Sequence, residues 1–287
     1  MIIETNIEQL RDPFILVADG VYYAYGTEWK CYKNTSGRLS GEWVELSGEI
    51  VKEPLHFVKN KWAPEVHKYN GAYYMLTTYF SSLTNHRGCS VFKSDSPEGP
   101  FVEIGGGHFT PSDWDAIDAT LYVDEEGQPW TVFVHEWTST DDGIGRMAAA
   151  KLSPDLTHLI SEPVELFRAD SPPWTKREVT DGCFIYKTKE GKLLMIWSNF
   201  LADKSYSIGV AESDGGILGN WTHKERLLYS KDMLGTYDGG HGMIFSDKDG
   251  RTYLSMHSPN VPTHGRKEKP VIIEIFEKDG ELVLDFN

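Results

Sequence analysis

The sequence has few cysteines and a shortage of basic residues. It contains 3 cysteines in 287 residues, without the C-x-x-C spacing of a zinc site or the density of a disulfide scaffold. We therefore expect free, mostly buried thiols. With 28 Lys and Arg against 43 Asp and Glu, the formal net charge is -15. This charge disfavours nucleic acid as a partner, because binding a polyanion depends on clustered cations.

Long hydrophobic runs are also missing. No window approaches the roughly 18 consecutive apolar residues of a membrane helix, so we expect no membrane partner. Residues 1–6 lack the basic start and apolar run of an export signal. The expected compartment is the cytoplasm by default, or a secreted or periplasmic location if a signal peptide has been removed.

A local pattern that recurs along the whole chain is the main signal for the fold. Each copy has a strand, a turn containing glycine and a second, often aromatic, strand. The copies cover residues 12–27, 64–78, 118–134, 181–197 and 241–256. Their spacing of about 53 to 63 residues is typical of propeller blades. No long amphipathic helical period interrupts them.

Further strand-like runs supply an outer pair of strands for each hairpin. They include residues 88–94, 147–152, 206–212 and 271–276. Five such units fill the chain, so the sequence predicts an all-β, five-bladed β-propeller that forms a single domain over residues 1–287.

Polar residues stand at or near the start of the first strand in all five repeats. They are Asp12, Glu65, Asp118, Asp181 and His241. The first strands of a propeller surround its axis, so these side chains should converge at one end of the central channel. Like charges in a partly dry site repel, and such a cluster therefore indicates a binding or catalytic pocket.

Two chemistries suit converging carboxylates. In glycoside hydrolysis, one carboxyl protonates the leaving oxygen while another activates water or attacks the anomeric carbon. The alternative is a metal site, since calcium accepts six to eight oxygen ligands. His241 makes an all-carboxylate calcium cage less natural but leaves room for binding through water.

Four short motifs in this order resemble glycoside hydrolase family 43, the five-bladed propeller glycosidases. The motifs are Arg11-Asp12-Pro13, Trp62-Ala63-Pro64-Glu65-Val66, Ile117-Asp118-Ala119 and Gly240-His241-Gly242. The resemblance implies an inverting enzyme that needs no cofactor. It also implies Asp12 as general base and Asp118 as the residue that orients the acid and raises its pKa. His241 would lie at the channel floor, near a water or a structural calcium ion.

The general acid is the one departure from the family pattern. The family usually shows Glu-Gly-Pro on the fourth blade, whereas residues 178–183 read Glu-Val-Thr-Asp-Gly-Cys. Aligning the glycine makes Asp181 the acid. Glu178, reaching in from the preceding loop, is the alternative.

Other residues are candidates for binding the sugar. The substrate-binding candidates are Trp62, Glu65, Phe80, Trp137, Asn199, His241 and Arg266. The pair His135 and Glu136 is expected at the opposite end of its hairpin from Asp118, with a structural role.

The resemblance implies a plant-type oligosaccharide or polysaccharide as substrate. The first expectation is an exo-acting α-L-arabinofuranosidase, with β-xylosidase or exo-β-1,3-galactanase next. Two alternatives are a non-catalytic sugar-binding propeller, if the Glu-to-Asp change removed acid function, and a scaffold for protein partners.

Overall fold

The structure is almost entirely β-sheet. The computed structural model describes residues 1–233 and 237–286, except for the side chain at position 232. In chain order the strands are β1 (Ile2–Glu4), β2 (Phe14–Ala18), β3 (Val21–Gly26), β4 (Lys30–Asn34), β5 (Val44–Glu45), β6 (Phe57–Tyr69), β7 (Ala72–Ser81), β8 (Arg87–Ser94), β9 (Val102–Ile104), β10 (Ala116–Val123), β11 (Pro129–His135), β12 (Arg146–Lys151), β13 (Val164–Arg168), β14 (Asp181–Lys187), β15 (Leu193–Phe200), β16 (Tyr206–Ser213), β17 (Trp221–His223), β18 (Gly240–Ser246), β19 (Thr252–Ser258), β20 (Lys269–Lys278) and β21 (Glu281–Asp285). Single-turn 3₁₀ helices lie at Thr27–Trp29 and Lys231–Met233. Within the described ranges, no helix is long and apolar enough to cross a membrane.

The strands form five antiparallel sheets, and each sheet is one blade. Blades 1 to 4 contain β2 to β5, β6 to β9, β10 to β13 and β14 to β17, each in chain order. Blade 5 contains β18, β19 and β20, with both β1 and β21 on the outer side of β20. The predicted five-bladed propeller is confirmed.

Both ends of the chain lie in blade 5. The strand β1 pairs with the first half of β20, where Ile2 lies opposite Ile273. The strand β21 pairs with the second half, where Leu284 lies opposite Ile275. Because the first strand of the chain completes the last blade, blades 1 and 5 are tied together and the ring is closed.

The core lies between the blades and consists largely of aromatic and β-branched side chains. The strand β7 is buried along nearly its whole length, since both of its faces pack against protein. The indole of Trp197 is fully buried and lies 5.2 Å from the rings of both Phe167 and Trp174. Truncating such a side chain costs about 3–5 kcal/mol. The three cysteines are free and buried, as predicted.

The hairpin of β10 and β11 corrects one expectation. His135 pairs with Ala116, two residues before Asp118, so Glu136 lies at the same end of the hairpin as Asp118. The prediction that placed His135 and Glu136 at the opposite end is wrong. In an antiparallel hairpin the second strand ends where the first begins.

Candidate active site

Each blade has a residue with left-handed backbone at or near the start of its inner strand, except that in blade 2 this residue lies within β6, where Asn60 is also left-handed (φ 69°). These residues are Asp12 (φ 54°), Ala63 (φ 42°), Asp118 (φ 56°), Gly182 (φ 48°) and His241 (φ 51°). The pairing of the inner strand with its neighbour is interrupted at this point in blades 2 to 5. Such bulges bend a strand and re-aim its side chains. A shared backbone irregularity therefore turns polar groups of several blades toward the end of the channel.

The backbone N–H of each of these residues is bound by the blade that precedes it. The acceptors are Thr27 Oγ1 for Ala63 (3.2 Å), Thr78 Oγ1 for Asp118 (2.9 Å) and Ser198 Oγ for His241 (2.9 Å), and the N–H of Asp12 faces the imidazole of His257 (3.3 Å). These acceptors lie on, or directly after, the second strand of their blades. A buried N–H without a partner is costly, so these bonds hold the irregular backbone in place.

Blade 3 breaks this pattern. Val134 stands where the other blades carry an acceptor, since it pairs with Ile117 just before Asp118. The N–H of Gly182 is instead bound by Oδ2 of Asp118 at 3.0 Å. A side chain at position 182 would also collide with His241, whose Cγ would lie 2.7 Å from the new Cβ. This hydrogen bond holds the carboxyl of Asp118 against the start of the inner strand of blade 4.

Asp12 lies among groups that favour its ionised form. Its Oδ1 is 3.2 Å from Nδ1 of His241, 3.3 Å from Nδ1 of His257 and 3.6 Å from Nε of Arg11. The hydroxyl of Thr27 donates to Oδ2 at 2.5 Å. Burial alone would raise the pKa of Asp12, but the two imidazoles and the guanidinium hold it well below its usual value.

Asp118 and Asp181 lie together and show the opposite behaviour. Burial raises the pKa of Asp118 to about 6. Burial and the neighbouring Asp118 carboxyl raise the pKa of Asp181 well above its usual value. The hydroxyl of Tyr206 donates to Oδ2 of Asp181 at 2.8 Å. These surroundings favour an ionised carboxylate at Asp12 and a protonated carboxyl at Asp181. Nδ1 of His241 lies between the two sides, 3.2 Å from Asp12 and 3.9 Å from Asp118.

The choice between Asp181 and Glu178 has a structural basis. Asp181 is partly exposed and lies beside Asp118. Glu178 is exposed, and its side chain forms neither a hydrogen bond nor an ion pair with any residue that the structure describes. Its backbone carbonyl accepts a bond from Gly145. Asp181 is the better placed candidate for an acid.

Glu65 does not occupy the left-handed backbone position that Asp12, Asp118 and His241 occupy in their blades. The left-handed position of blade 2 is Ala63, two residues earlier. The buried carboxylate of Glu65 lies 3.0 Å from Nε2 of His67, on the same strand. The sequence repeat aligned Glu65 with Asp12 by residue type, whereas the backbone aligns Ala63.

The predicted sugar-binding aromatic residues differ in how they are held. Trp62 is partly exposed, and the guanidinium of Arg87 lies 5.8 Å from its ring. Phe80 is partly exposed and lies 5.1 Å from the ammonium of Lys59. Trp137 is partly exposed in the loop after β11. All three retain surface on which a sugar can stack.

Asn199 and Arg266 are not among the groups that the structure brings together. Asn199 is fully buried, and its amide nitrogen binds the backbone carbonyls of Ala169 and Arg177. Arg266 pairs with Glu4 at 3.1 Å and lies over the ring of Tyr237. Both side chains bind protein.

Sequence reasoning missed a partly buried ionic network beside Trp62. Nε of Arg87 donates to Glu136 at 2.6 Å, and Nη2 lies 3.2 Å from Asp115 and 3.1 Å from Thr138. Burial raises the pKa of Glu136, and the cation of Arg87 offsets part of that effect. A Glu at the end of the second strand of a hairpin was the available signal. It was lost because that end was placed away from Asp118.

The polar cluster does not fit a directly bound calcium ion. Asp118, Asp181 and His241 each offer one ligand atom, and these atoms lie within 4.8 Å of one another. Calcium takes six to eight oxygen ligands, whereas this set has two carboxyls and one imidazole. Oδ2 of each carboxyl already accepts a hydrogen bond from protein. Calcium held by His241 through water stays a prediction.

Comparisons with known proteins agree with this geometry. The family model described as "Glycosyl hydrolases family 43" matches residues 6–280. The structure of an endo-arabinase from Bacteroides thetaiotaomicron is 37% identical with a TM-score of 0.84, and the match covers 97% of this chain and 98% of that one. Extracellular endo-α-(1→5)-L-arabinanase 1 of Bacillus subtilis is 29% identical over 46% of this chain and 45% of its own length. β-D-galactofuranosidase xynD of Aspergillus niger is 24% identical over 71% of this chain and 57% of its own length. The chain thus spans about half the length of these two curated relatives.

Proposed function

The chain belongs to glycosyl hydrolase family 43, and from that membership we propose that it hydrolyses an O-glycosyl bond with inversion. The observation that carries the proposal is the contrast between two carboxyls. Asp12 is surrounded by His241, His257 and Arg11, whereas Asp181 lies against the carboxyl of Asp118 and the hydroxyl of Tyr206. One is ionised and therefore free to accept a proton, and the other is protonated and therefore able to donate one.

The reaction follows from these two proton states. Asp181 transfers its proton to the glycosidic oxygen as the bond from that oxygen to the anomeric carbon breaks. A water molecule attacks the anomeric carbon from the opposite face and gives a proton to Asp12. One displacement inverts the configuration, and the two carboxyls exchange their protonation states through solvent before the next turnover.

Asp118 is the third member of this mechanism. Its Oδ2 is held by the N–H of Gly182, directly after Asp181. The carboxyl therefore cannot swing away from the acid. Its negative charge disfavours a second charge on Asp181 and keeps the acid protonated until the leaving oxygen needs the proton.

We assign the substrate as an α-L-arabinofuranosyl linkage at the end of a sugar chain. Asp12 and Asp118 are only 7% and 6% exposed, and such deep carboxyls suit a single terminal ring. Trp62 and Trp137 offer apolar faces at the same end of the channel. The similarity to an endo-arabinase supports arabinose as the sugar. The chain is therefore expected to act as an exo-acting α-L-arabinofuranosidase.

The same similarity favours a second candidate, an endo-acting arabinanase, since the Bacteroides match is full length. The products of linear α-1,5-arabinan distinguish the two. Release of arabinose alone from the start indicates exo action, whereas a ladder of oligosaccharides with a rapid fall in viscosity indicates endo action.

The proposal is tested with 4-nitrophenyl α-L-arabinofuranoside, β-D-xyloside and β-D-galactoside, alongside linear arabinan. Wild type is compared with Asp181→Asn, and Glu178→Gln serves as the matched control. We expect wild type to hydrolyse the arabinoside, Asp181→Asn to lose this activity, and the Glu178→Gln control to keep it in full. Proton NMR of the first product should show the inverted anomer. Sugar binding without turnover by wild type would favour the non-catalytic propeller.

A further inference from the structure

The carboxyl of Asp181 is held from behind by one phenol. The hydroxyl of Tyr206 lies 2.8 Å from Oδ2 of Asp181. Tyr206 is fully buried, so it cannot contact a substrate itself. Asp is one methylene shorter than Glu, and a shorter acid has less freedom to adjust its reach. Whatever fixes this carboxyl therefore decides where its proton points.

The residues packed around the ring of Tyr206 hold it in one orientation. It lies against Gly240, where an added Cβ would be 2.3 Å from Cε1 of the ring. The imidazole of His257 stacks at 5.7 Å, and the ring of Phe200 lies at 5.0 Å. The backbone N–H of Tyr206 donates to Asp238 at 2.9 Å. A ring enclosed in this way aims its hydroxyl in one direction.

The direction of the hydrogen bond decides which oxygen of Asp181 carries the acid proton. Burial raises the pKa of Tyr206 well above its usual value, so the phenol stays protonated and donates. Oδ2 of Asp181 is then an acceptor. The proton of the neutral carboxyl is left on Oδ1.

We propose that Tyr206 is the positioning residue of the general acid, and that its hydroxyl holds Oδ2 of Asp181 so that Oδ1 presents the proton to the leaving oxygen. This inference rests on the proposed role of Asp181. It adds to the catalytic machinery a residue on the third strand of blade 4, which is fully buried and so makes no contact with the substrate.

The test compares Tyr206→Phe with Tyr229→Phe. Tyr229 is also fully buried, but its hydroxyl donates to the backbone carbonyl of Tyr237. Both variants remove one buried hydroxyl, and only the first touches the acid. Thermal unfolding and circular dichroism confirm that both are folded.

The readout is the dependence of kcat on the leaving group. With arabino-oligosaccharides, whose leaving oxygen needs a proton, we expect Tyr206→Phe to lower kcat by about 10- to 100-fold with little change in KM. With 2,4-dinitrophenyl α-L-arabinofuranoside, which leaves without a proton, the loss should stay below about 3-fold. Tyr229→Phe should match wild type on both substrates. Equal losses on both substrates, or no loss, would overturn the inference.

A crystal structure of Tyr206→Phe gives a second readout that needs no turnover. We expect Asp181 to leave its wild-type rotamer or to occupy two. An unchanged single rotamer would contradict the positioning role. If wild type hydrolyses no sugar, the proposed function fails, and the rotamer alone still decides whether Tyr206 holds the carboxyl.

Discussion

The two sides of the candidate active site carry the same residue type in opposite surroundings. Around Asp12, blades 1 and 5 contribute a guanidinium and two imidazoles. Around Asp181, burial and the carboxyl of Asp118 from blade 3 raise the pKa, and together they outweigh the hydrogen bond from Tyr206, which lowers it. The first environment stabilises a carboxylate, and the second stabilises a neutral acid. A propeller produces this difference readily, because each blade brings its own side chains to the common axis.

The largest effect is expected from removing the base. Asp12→Asn removes the carboxylate that the proposed mechanism uses to accept a proton from water, and we expect kcat to fall by about 10³-fold. Initial rates on 4-nitrophenyl α-L-arabinofuranoside measure it. Asp19→Asn, an exposed change in the turn after β2, is the control. Near-normal activity of Asp12→Asn would remove Asp12 from the mechanism.

Asp118→Asn tests the carboxyl-rich side. The charge of Asp118 raises the pKa of Asp181, so its removal lowers that pKa. The alkaline limb of the kcat/KM profile should therefore move to lower pH, with kcat reduced about 10²-fold. The exposed Asp113→Asn is the control. An alkaline limb that stays in place would show that Asp118 does not set the proton state of the acid.

The ionic network beside Trp62 gives a stability prediction. Arg87→Ala leaves the carboxylate of Glu136 buried and unpaired, and we expect the free energy of unfolding to fall by about 3 kcal/mol. Arg146→Ala removes an arginine of similar exposure whose partners are themselves exposed, and should cost less than about 1 kcal/mol. Urea unfolding compares them. Equal losses in the two variants would mean that the burial of Glu136 has no energetic consequence.

The smallest effect is expected at Arg11. Its cation lowers the pKa of Asp12, so Arg11→Met should raise that pKa. The acidic limb of kcat/KM should then move to higher pH by a few tenths to about one unit. Arg168→Met, on the outer side of blade 3, should leave the limb unchanged. A shift in the opposite direction would exclude a stabilising role for Arg11.

Prediction from sequence succeeded where the signal was local and repeated. The recurring strand-turn-strand unit predicted five blades, and the outer runs at 147–152 and 206–212 correspond to β12 and β16. It failed where neighbouring strands decide the outcome. Glu65 matched the other acidic residues by type, yet the left-handed backbone falls on Ala63. Glu136 was set aside because its strand end was assigned to the wrong side.

The number of blades and the chemistry available at their inner strands follow from the amino-acid sequence, because strand alternation, turn residues and repeat length are local properties. Only the tertiary structure decided which carboxyl is ionised and which is protonated. Asp12, Asp118 and Asp181 are the same residue type, and nothing within their own segments distinguishes their pKa values. The distinction arises from contacts between blades, such as His241 with Asp12 and Asp118 with Asp181, and such contacts exist only once the blades have assembled.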